Sequence, residues 1–89
     1  MNYRLEMSRQ AARYFARLDE RTRERVSEML AQIVMDPFGT SSKPLAGYPE
    51  RRSARVGPLW ILFSVLPATA AVRVQGIGPR GQIYRELGR

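Results

Sequence analysis

The chain has 89 residues, enough for one domain with a thin hydrophobic core. It contains no cysteine and no histidine, which excludes disulfides, thiolate chemistry and the commonest general base and metal ligand. Because carboxylates are also few and dispersed, we expect no metal and no cofactor. No apolar run resembles a signal peptide or a membrane-spanning segment, so we expect a cytoplasmic protein.

Positive charge is concentrated in the second part of the chain. Residues 1–36 carry seven basic and six acidic side chains, a net of +1, whereas residues 37–89 carry eight basic and two acidic side chains, a net of +6. Such clustering attracts phosphate polyanions and speeds encounter with them. We therefore predict a polyanion as the partner, RNA foremost. Solubility, or a codon bias toward arginine, is the alternative explanation.

The first part of the chain predicts a strand followed by a helical hairpin. Polar and apolar residues alternate over residues 2–7, which is typical of a half-buried strand. Ser8 can cap the helix that follows. Asp19 and Glu20 suit the start of a second helix, where carboxylates face the positive end of the helix dipole. Asp36-Pro37 ends that helix, because a residue before proline avoids helical angles.

The second part of the chain predicts a long loop and three strands. Residues 37–50 hold three prolines and two glycines and are interpreted as a loop. Strands are expected at Arg51–Val56, Leu59–Leu66 and Ala71–Ile77, the second of them central because it is apolar on both faces. Residues 82–87 form a short tail. The predicted fold is α+β in the order β-α-α-β-β-β, an antiparallel sheet with the N-terminal helical hairpin on one face.

Four short motifs resemble those of the RelE/ParE toxin superfamily of bacterial toxin–antitoxin modules. Together with the strand and two helices predicted before them, the resemblance covers nearly the whole chain, and the order and spacing of the motifs carry it more than any single motif does. The motifs are Asp36-Pro37, KPLAG at Lys43–Gly47, ARVGPLWILFSV at Ala54–Val65 and VQGIGPRGQIY at Val74–Tyr84.

The resemblance implies a small toxin that a cognate antitoxin protein neutralises. RelE-like members cleave mRNA in the ribosomal A site without a metal, by attack of the ribose 2′-hydroxyl on the adjacent phosphodiester. ParE-like members share the fold and inhibit DNA gyrase. The expectation here is a ribosome-dependent endoribonuclease. A ParE-like inhibitor of gyrase and a degenerate toxin that retains only antitoxin binding are the alternatives.

The family pattern also assigns site residues. Its basic residues on the strand after the loop match Arg51, Arg52 and Arg55. Its arginine after the glycine near the end of the last strand matches Arg80, and the tyrosine that follows matches Tyr84. The family's Tyr-Arg pair is replaced by Leu59-Trp60, so Trp60 occupies the position of a catalytic arginine.

These residues suit phosphodiester chemistry in different ways. Guanidinium groups stabilise the charge that develops on phosphoryl oxygens, a role predicted for Arg55 and Arg80. Tyr84 can supply or accept a proton, or it can be a packing tyrosine. Trp60 is either a core residue or a platform on which a base stacks. Lys43 is either a phosphate ligand or a solvated loop cation, and Arg51 or Arg52 is expected to hold the RNA backbone.

Overall fold

The sheet of this protein has five strands, and helices lie on both of its faces. A computed structural model describes residues 2–87, apart from the side chains of residues 49 and 84–87. The elements are β1 (Arg4–Met7), α1 (Arg9–Arg17), α2 (Glu20–Met35), β2 (Lys43–Leu45), β3 (Tyr48–Val56), β4 (Leu59–Leu66), a 3-10 turn (Pro67–Thr69), β5 (Ala71–Pro79) and α3 (Arg80–Leu87). The strand order is β1-β5-β4-β3-β2, which confirms the predicted α+β class and the central position of β4.

One strand pair departs from the predicted antiparallel sheet. β1 pairs with β5 in parallel, from Arg4 opposite Ala71 to Met7 opposite Val74, while the other strand pairs are antiparallel. Strands far apart in sequence and joined through helices are free to run in the same direction, as in β-α-β units. The sheet is therefore mixed.

The predicted loop over residues 37–50 is wrong in its second half. Lys43–Leu45 forms the edge strand β2, and β3 begins at Tyr48 rather than at Arg51. Pro44 is tolerated in β2 because an edge strand has one side without ladder hydrogen bonds. Gly47 lies in the turn between the two strands with a φ of 83°, a left-handed conformation that glycine adopts at little cost.

The predicted tail after the last strand is also wrong. β5 continues through Gly78 to Pro79, and α3 begins immediately at Arg80. An ideal Cβ at Gly76 would lie 3.1 Å from Ile83 Cδ1, and one at Gly78 would lie 3.5 Å from the same atom. These two glycines leave room for α3 to pack closely on β5.

Both helices of the hairpin begin at the predicted caps. The Ser8 hydroxyl accepts a hydrogen bond from the Ala11 amide at 3.1 Å, and the Asp19 carboxylate accepts one from the Thr22 amide at 3.2 Å. α2 ends at Met35 with Asp36 as its C-cap, as the Asp-Pro pair predicted. None of the helices in the described part of the chain is long and apolar enough to cross a bilayer.

Side chains along β4 alternate between two apolar clusters. Ile61 and Phe63 are fully buried in the larger cluster, between the sheet and the helical hairpin. Trp60 and Leu62 belong to a smaller cluster on the opposite face, which Leu45 and Ile83 complete. That opposite face is called the open face below. Its residues, by strand register and alternation, include Lys43, Leu45, Arg51, Ser53, Arg55, Trp60, Leu62, Ser64 and Arg73, and Glu6 of β1 lies beside Arg73 at its far edge.

The first turn of α1 completes the edge of β5 where β1 ends. Opposite β4, Gln75 is an extra residue in β5, a β-bulge. The Ser8 hydroxyl donates to the Gln75 carbonyl at 2.7 Å. The Gln10 side chain donates to the Ile77 carbonyl at 3.0 Å and accepts from the Ile77 amide at 3.1 Å. The side-chain amide of Gln10 thus makes the two hydrogen bonds to β5 that a residue of a neighbouring strand would otherwise make.

We predict that Gln10→Ala lowers the free energy of unfolding by about 1–3 kcal/mol, because it leaves both partly buried backbone groups of Ile77 without their partner. Urea denaturation measures the change. Gln82→Ala, at an exposed position of α3, is the matched control, and a similar small change in both variants would contradict the role of Gln10.

Candidate nucleic-acid interface

A shallow groove crosses the open face between β2, β4 and the start of α3. Its volume is about 630 Å³. Three of the predicted site residues, Lys43, Trp60 and Arg80, line it together. The remaining lining residues are Pro44, Leu45, Ala46, Ser53 and Gly81. Residues separated by up to 38 positions in the sequence thus meet in one depression, because the sheet brings β2, β3 and β4 side by side and α3 begins next to them.

Trp60 forms the apolar floor of this part of the open face. Its indole is half-buried and packs against the small cluster of Leu45, Leu62 and Ile83. Gly78 is directly opposite Trp60 on β5 and has no side chain to compete for that space. The structure therefore gives Trp60 both a packing role and a surface on the groove, which combines the two alternatives considered from the sequence.

Arg55 lies beside the groove, above the indole. Register places it opposite Trp60 on the neighbouring strand, and its guanidinium carbon lies 5.8 Å from the indole centroid. Its Nε donates to the Gly57 carbonyl at 2.9 Å, and the residue is exposed. Four predicted residues, Lys43, Arg55, Trp60 and Arg80, are thus gathered at one end of the open face.

Arg51 shares the open face but lies farther along it. It is four residues before Arg55 on β3, a separation of about 13 Å at the usual rise of a strand. Register aligns it with Ser64 and, beyond that residue, with Arg73 on β5. Its guanidinium carbon lies 5.2 Å from the ring centroid of Tyr48. Arg51 is therefore placed to contact a neighbouring stretch of polyanion rather than the groove itself.

Arg52 lies away from the other predicted site residues. It alternates with Arg51 and is opposite Phe63, so it points away from the open face. Its Nε donates to the Ser42 hydroxyl at 2.8 Å and one terminal nitrogen donates to the Ser42 carbonyl at 3.1 Å. Its guanidinium carbon is also 5.6 Å from the Phe38 ring centroid. These contacts hold the segment after α2 against the sheet.

Tyr84 was predicted as a proton-transfer residue. Its backbone belongs to α3, which begins at the groove with Arg80. The side chain of Tyr84 lies outside the described part of the structure.

The charge of the groove differs from that of the second depression on the molecule. None of the described residues that line the groove is acidic. The second depression, of about 710 Å³, is lined by Glu6 and Glu50 together with three arginines, Arg4, Arg52 and Arg73. The cationic lining of the groove, with no acidic residue among its described members, favours it over the other depression as the anion-binding site. Among the described residues, no cluster of carboxylates offers a metal site.

Three polar residues of the open face, Ser53, Ser64 and Arg73, were not predicted from the sequence. Ser53 lines the groove, and Arg73 continues the row of Arg51 and Ser64. Both follow from alternation, since Arg73 stands between the buried Val72 and Val74. Arg73 is also paired, because its Nε donates to Glu6 at 3.0 Å.

We predict that Arg52→Ala is destabilising by about 1–3 kcal/mol, because the partly buried hydroxyl and carbonyl of Ser42 lose their donor. Arg51→Ala, which removes an exposed ring contact, costs less than about 1 kcal/mol. Urea denaturation of the two variants separates these roles of adjacent arginines. Equal losses would contradict the structural assignment of Arg52.

Acid sensitivity provides a prediction for Glu6. Hydrogen bonds from Arg4, at 2.9 Å, and Arg73 hold the pKa of Glu6 below its ordinary value of 4.5. The folded state then binds the proton less readily than the unfolded state, so this contribution to stability is present above pH 4.5 and is lost as pH falls through the lowered pKa.

Glu6→Gln should therefore lower the melting temperature at neutral pH. The size of this decrease should shrink progressively as the pH is lowered below the ordinary pKa of 4.5. Glu24→Gln, on the exposed surface of α2, is the control. A Glu6→Gln deficit that is constant across the whole pH range would contradict the proposed cause.

The chain is similar to solved structures of RelE and YoeB/ParE toxins and of RelB–RelE complexes. No protein-family model matches the chain, and no curated protein matches it at a significant level. An E. coli RelE toxin in the free state, with two arginines replaced by alanine, matches with a TM-score of 0.82 and 21% identity over 97% of this chain and 94% of that chain. A RelBE toxin–antitoxin complex from Mycobacterium tuberculosis matches with a TM-score of 0.76 and 22% identity, over 90% of this chain and 100% of that chain.

A YoeB/ParE toxin from Agrobacterium tumefaciens has a TM-score of 0.75 and 17% identity, over 85% of this chain and 96% of that chain. These similarities extend over nearly the full length of each protein. The resemblance seen in the sequence motifs is thus confirmed at the level of the fold: the chain has the fold of the RelE/ParE-like toxins.

Proposed function

We propose that this protein is the toxin of a type II toxin–antitoxin module and cleaves mRNA on the ribosome. The observation that carries the proposal is the groove in which Lys43, Trp60 and Arg80 meet, with Arg55 beside it. The fold, which is that of RelE toxins, supports the same reading. A cognate antitoxin is the expected protein partner, since several of the matching structures are complexes of a RelE toxin with its RelB antitoxin or a peptide of it.

Cleavage proceeds by attack of a ribose 2′-hydroxyl on the adjacent phosphorus, with departure of the 5′-oxygen of the next nucleotide. Negative charge develops on the phosphoryl oxygens during this step, and positioned guanidinium groups stabilise it. Arg80 and Arg55 are assigned this role because Arg80, at the start of α3, lines the groove and Arg55, on β3, lies beside it. Lys43 holds a neighbouring phosphate, and Arg51 and Arg73 extend the cationic surface along the RNA.

Proton transfer is assigned to Tyr84 and to groups of the ribosome. The chain has no histidine, so its own side chains include few groups that exchange protons near neutral pH. Catalysis then depends mainly on positioning and charge stabilisation. The requirement for a 2′-hydroxyl makes RNA, and not DNA, the substrate.

One observation favours a second candidate, a ParE-like toxin that inhibits DNA gyrase without catalysis. Trp60 occupies the place of the family's arginine, and one matching structure carries the ParE name. In this reading the open face binds protein rather than RNA. A toxin that retains the fold but has lost both activities is the third possibility.

We predict that inducing the chain in bacteria produces cuts within translated codons, mapped by primer extension. Arg80→Ala should reduce cleavage by about 10²–10³-fold, the usual loss when one donor to a developing oxyanion is removed. Arg55→Ala should also reduce it. Arg17→Ala, which removes an exposed charge on α1, is the matched control and should cleave normally.

Other outcomes distinguish the alternatives. Growth arrest with intact mRNA and trapped gyrase–DNA complexes would replace the nuclease with the ParE-like function. Absence of arrest by a folded, soluble protein would identify a degenerate toxin. A short acidic reading frame beside the gene supports the antitoxin in all three cases.

A further inference from the structure

We propose that Trp60 is a stacking platform for one unpaired RNA base, and that Arg55 moves from the indole to an adjacent phosphate when that base binds. The proposal deepens the proposed function, because it rests on the groove being an RNA site. It concerns recognition of the substrate and does not require that the chain cleave it.

The indole is held in place before any ligand arrives. It projects from the central strand β4 and packs against Leu45, Leu62 and Ile83, of which Leu62 is 2% and Ile83 is 0% exposed. Those three residues come from three different elements, β2, β4 and α3. A ring fixed in this way loses little side-chain entropy when a second flat group packs on it.

The surroundings of the indole match a nucleotide better than an acidic peptide. Lys43 and Arg80 line the same groove as the ring, so a bound group meets a flat apolar surface beside cations. A nucleotide carries a flat base and a phosphate a short distance apart, whereas a carboxylate side chain satisfies the cations and leaves the indole uncovered. Because every base has a π-face, such a site tolerates different bases but requires that the base be unpaired.

Arg55 covers part of the indole in the free protein. Its guanidinium carbon is 5.8 Å from the indole centroid, within the range of cation–π contacts. At an exposed position that contact is weaker than stacking of a base on tryptophan. A base that displaces the guanidinium therefore gains contact with the ring, and Arg55 gains a charge-assisted hydrogen bond to phosphate in exchange. The backbone of β3, tied to β4 through register, keeps Arg55 within reach.

The exchange gives a physical reason for tryptophan at this position. An arginine at this position would add a third guanidinium beside Arg55 and Arg80. Tryptophan instead contributes affinity for a base and holds the Arg55 guanidinium over its ring in the free protein. Stabilisation of the charge on the phosphoryl oxygens then depends on fewer cations, and positioning of the substrate depends on stacking of a base on Trp60.

Trp60 is the sole tryptophan of the sequence, so its fluorescence reports directly on the platform. The probe is a short 2′-O-methyl oligoribonucleotide, which lacks the attacking hydroxyl and stays intact. The control oligonucleotide has the same backbone but abasic sugars. We expect quenching of Trp60 by the base-bearing strand and little quenching by the abasic strand. Equal quenching by both strands, or no binding by either, would overturn the proposal.

Affinity measured by anisotropy of a labelled strand tests the ring itself. Trp60→Ala should weaken binding of the base-bearing strand by roughly 5- to 100-fold, the range expected for loss of one stacked base. The same variant should leave the affinity for the abasic strand unchanged. Trp60→Phe keeps an aromatic face and the apolar packing, so it should bind the base-bearing strand nearly as well as the natural chain. This variant keeps the proposal testable if Trp60→Ala fails to fold.

Arg55→Ala tests the exchange. Base-dependent quenching should persist in this variant, because the ring is then uncovered. The slope of log affinity against log salt concentration should fall by about one, as expected when a single phosphate contact is lost. Arg17→Ala should leave both the quenching and the slope unchanged. Loss of quenching in Arg55→Ala, or an unchanged salt slope, would contradict the movement of Arg55.

These measurements are independent of the nuclease. Base-dependent binding without mRNA cleavage in cells would retain the platform and reject the proposed activity. Cleavage that depends on Arg80 but is equal in the natural chain and in Trp60→Ala would retain the activity and reject the platform.

Discussion

The alternation of side chains along β4 is the constraint on which the rest of the structure depends. Ile61, Phe63 and Val65 face the helical hairpin, while Trp60 and Leu62 face the opposite side. A slip of one residue in the pairing of β4 would send Trp60 into the main core and a core residue onto the groove. Burial of the apolar set therefore fixes the register of the sheet, and the register fixes which cations meet at the groove.

The edge of β5 connects the hairpin to that groove. β1 covers only the first half of β5, and Ser8 and Gln10 supply the hydrogen bonds of the next stretch. Ser8 does so while it also caps α1. The strand that these two side chains hold leads directly into Arg80 and α3, so the start of α1 supports the interface without touching the groove.

Features set by local chemistry could be predicted from the sequence, and features set by long-range pairing could not. The caps at Ser8 and Asp19 and the central position of β4 depend on neighbouring residues and were predicted correctly. β2 and α3 depend on partners distant in the chain, and the prolines and glycines around them suggested a loop and a tail instead. The strand β1 was predicted, but its parallel direction is set by its distant partner β5. For the site, the family motifs named the groove residues, but only strand register separates Arg52 from Arg51 and Arg55.

The proposed site for the anionic partner lies on the open face, at the end where the sheet combines cations with the indole of Trp60. We propose that this face, and not the helical hairpin, meets RNA on the ribosome. The most direct test is an electron cryomicroscopy structure of the chain on a ribosome whose A-site codon carries 2′-deoxy sugars. The account predicts the groove against the A-site nucleotides, with Arg80 on a phosphate and a base on Trp60. Density that places α1 and α2 against the mRNA, with the groove facing solvent, would contradict it.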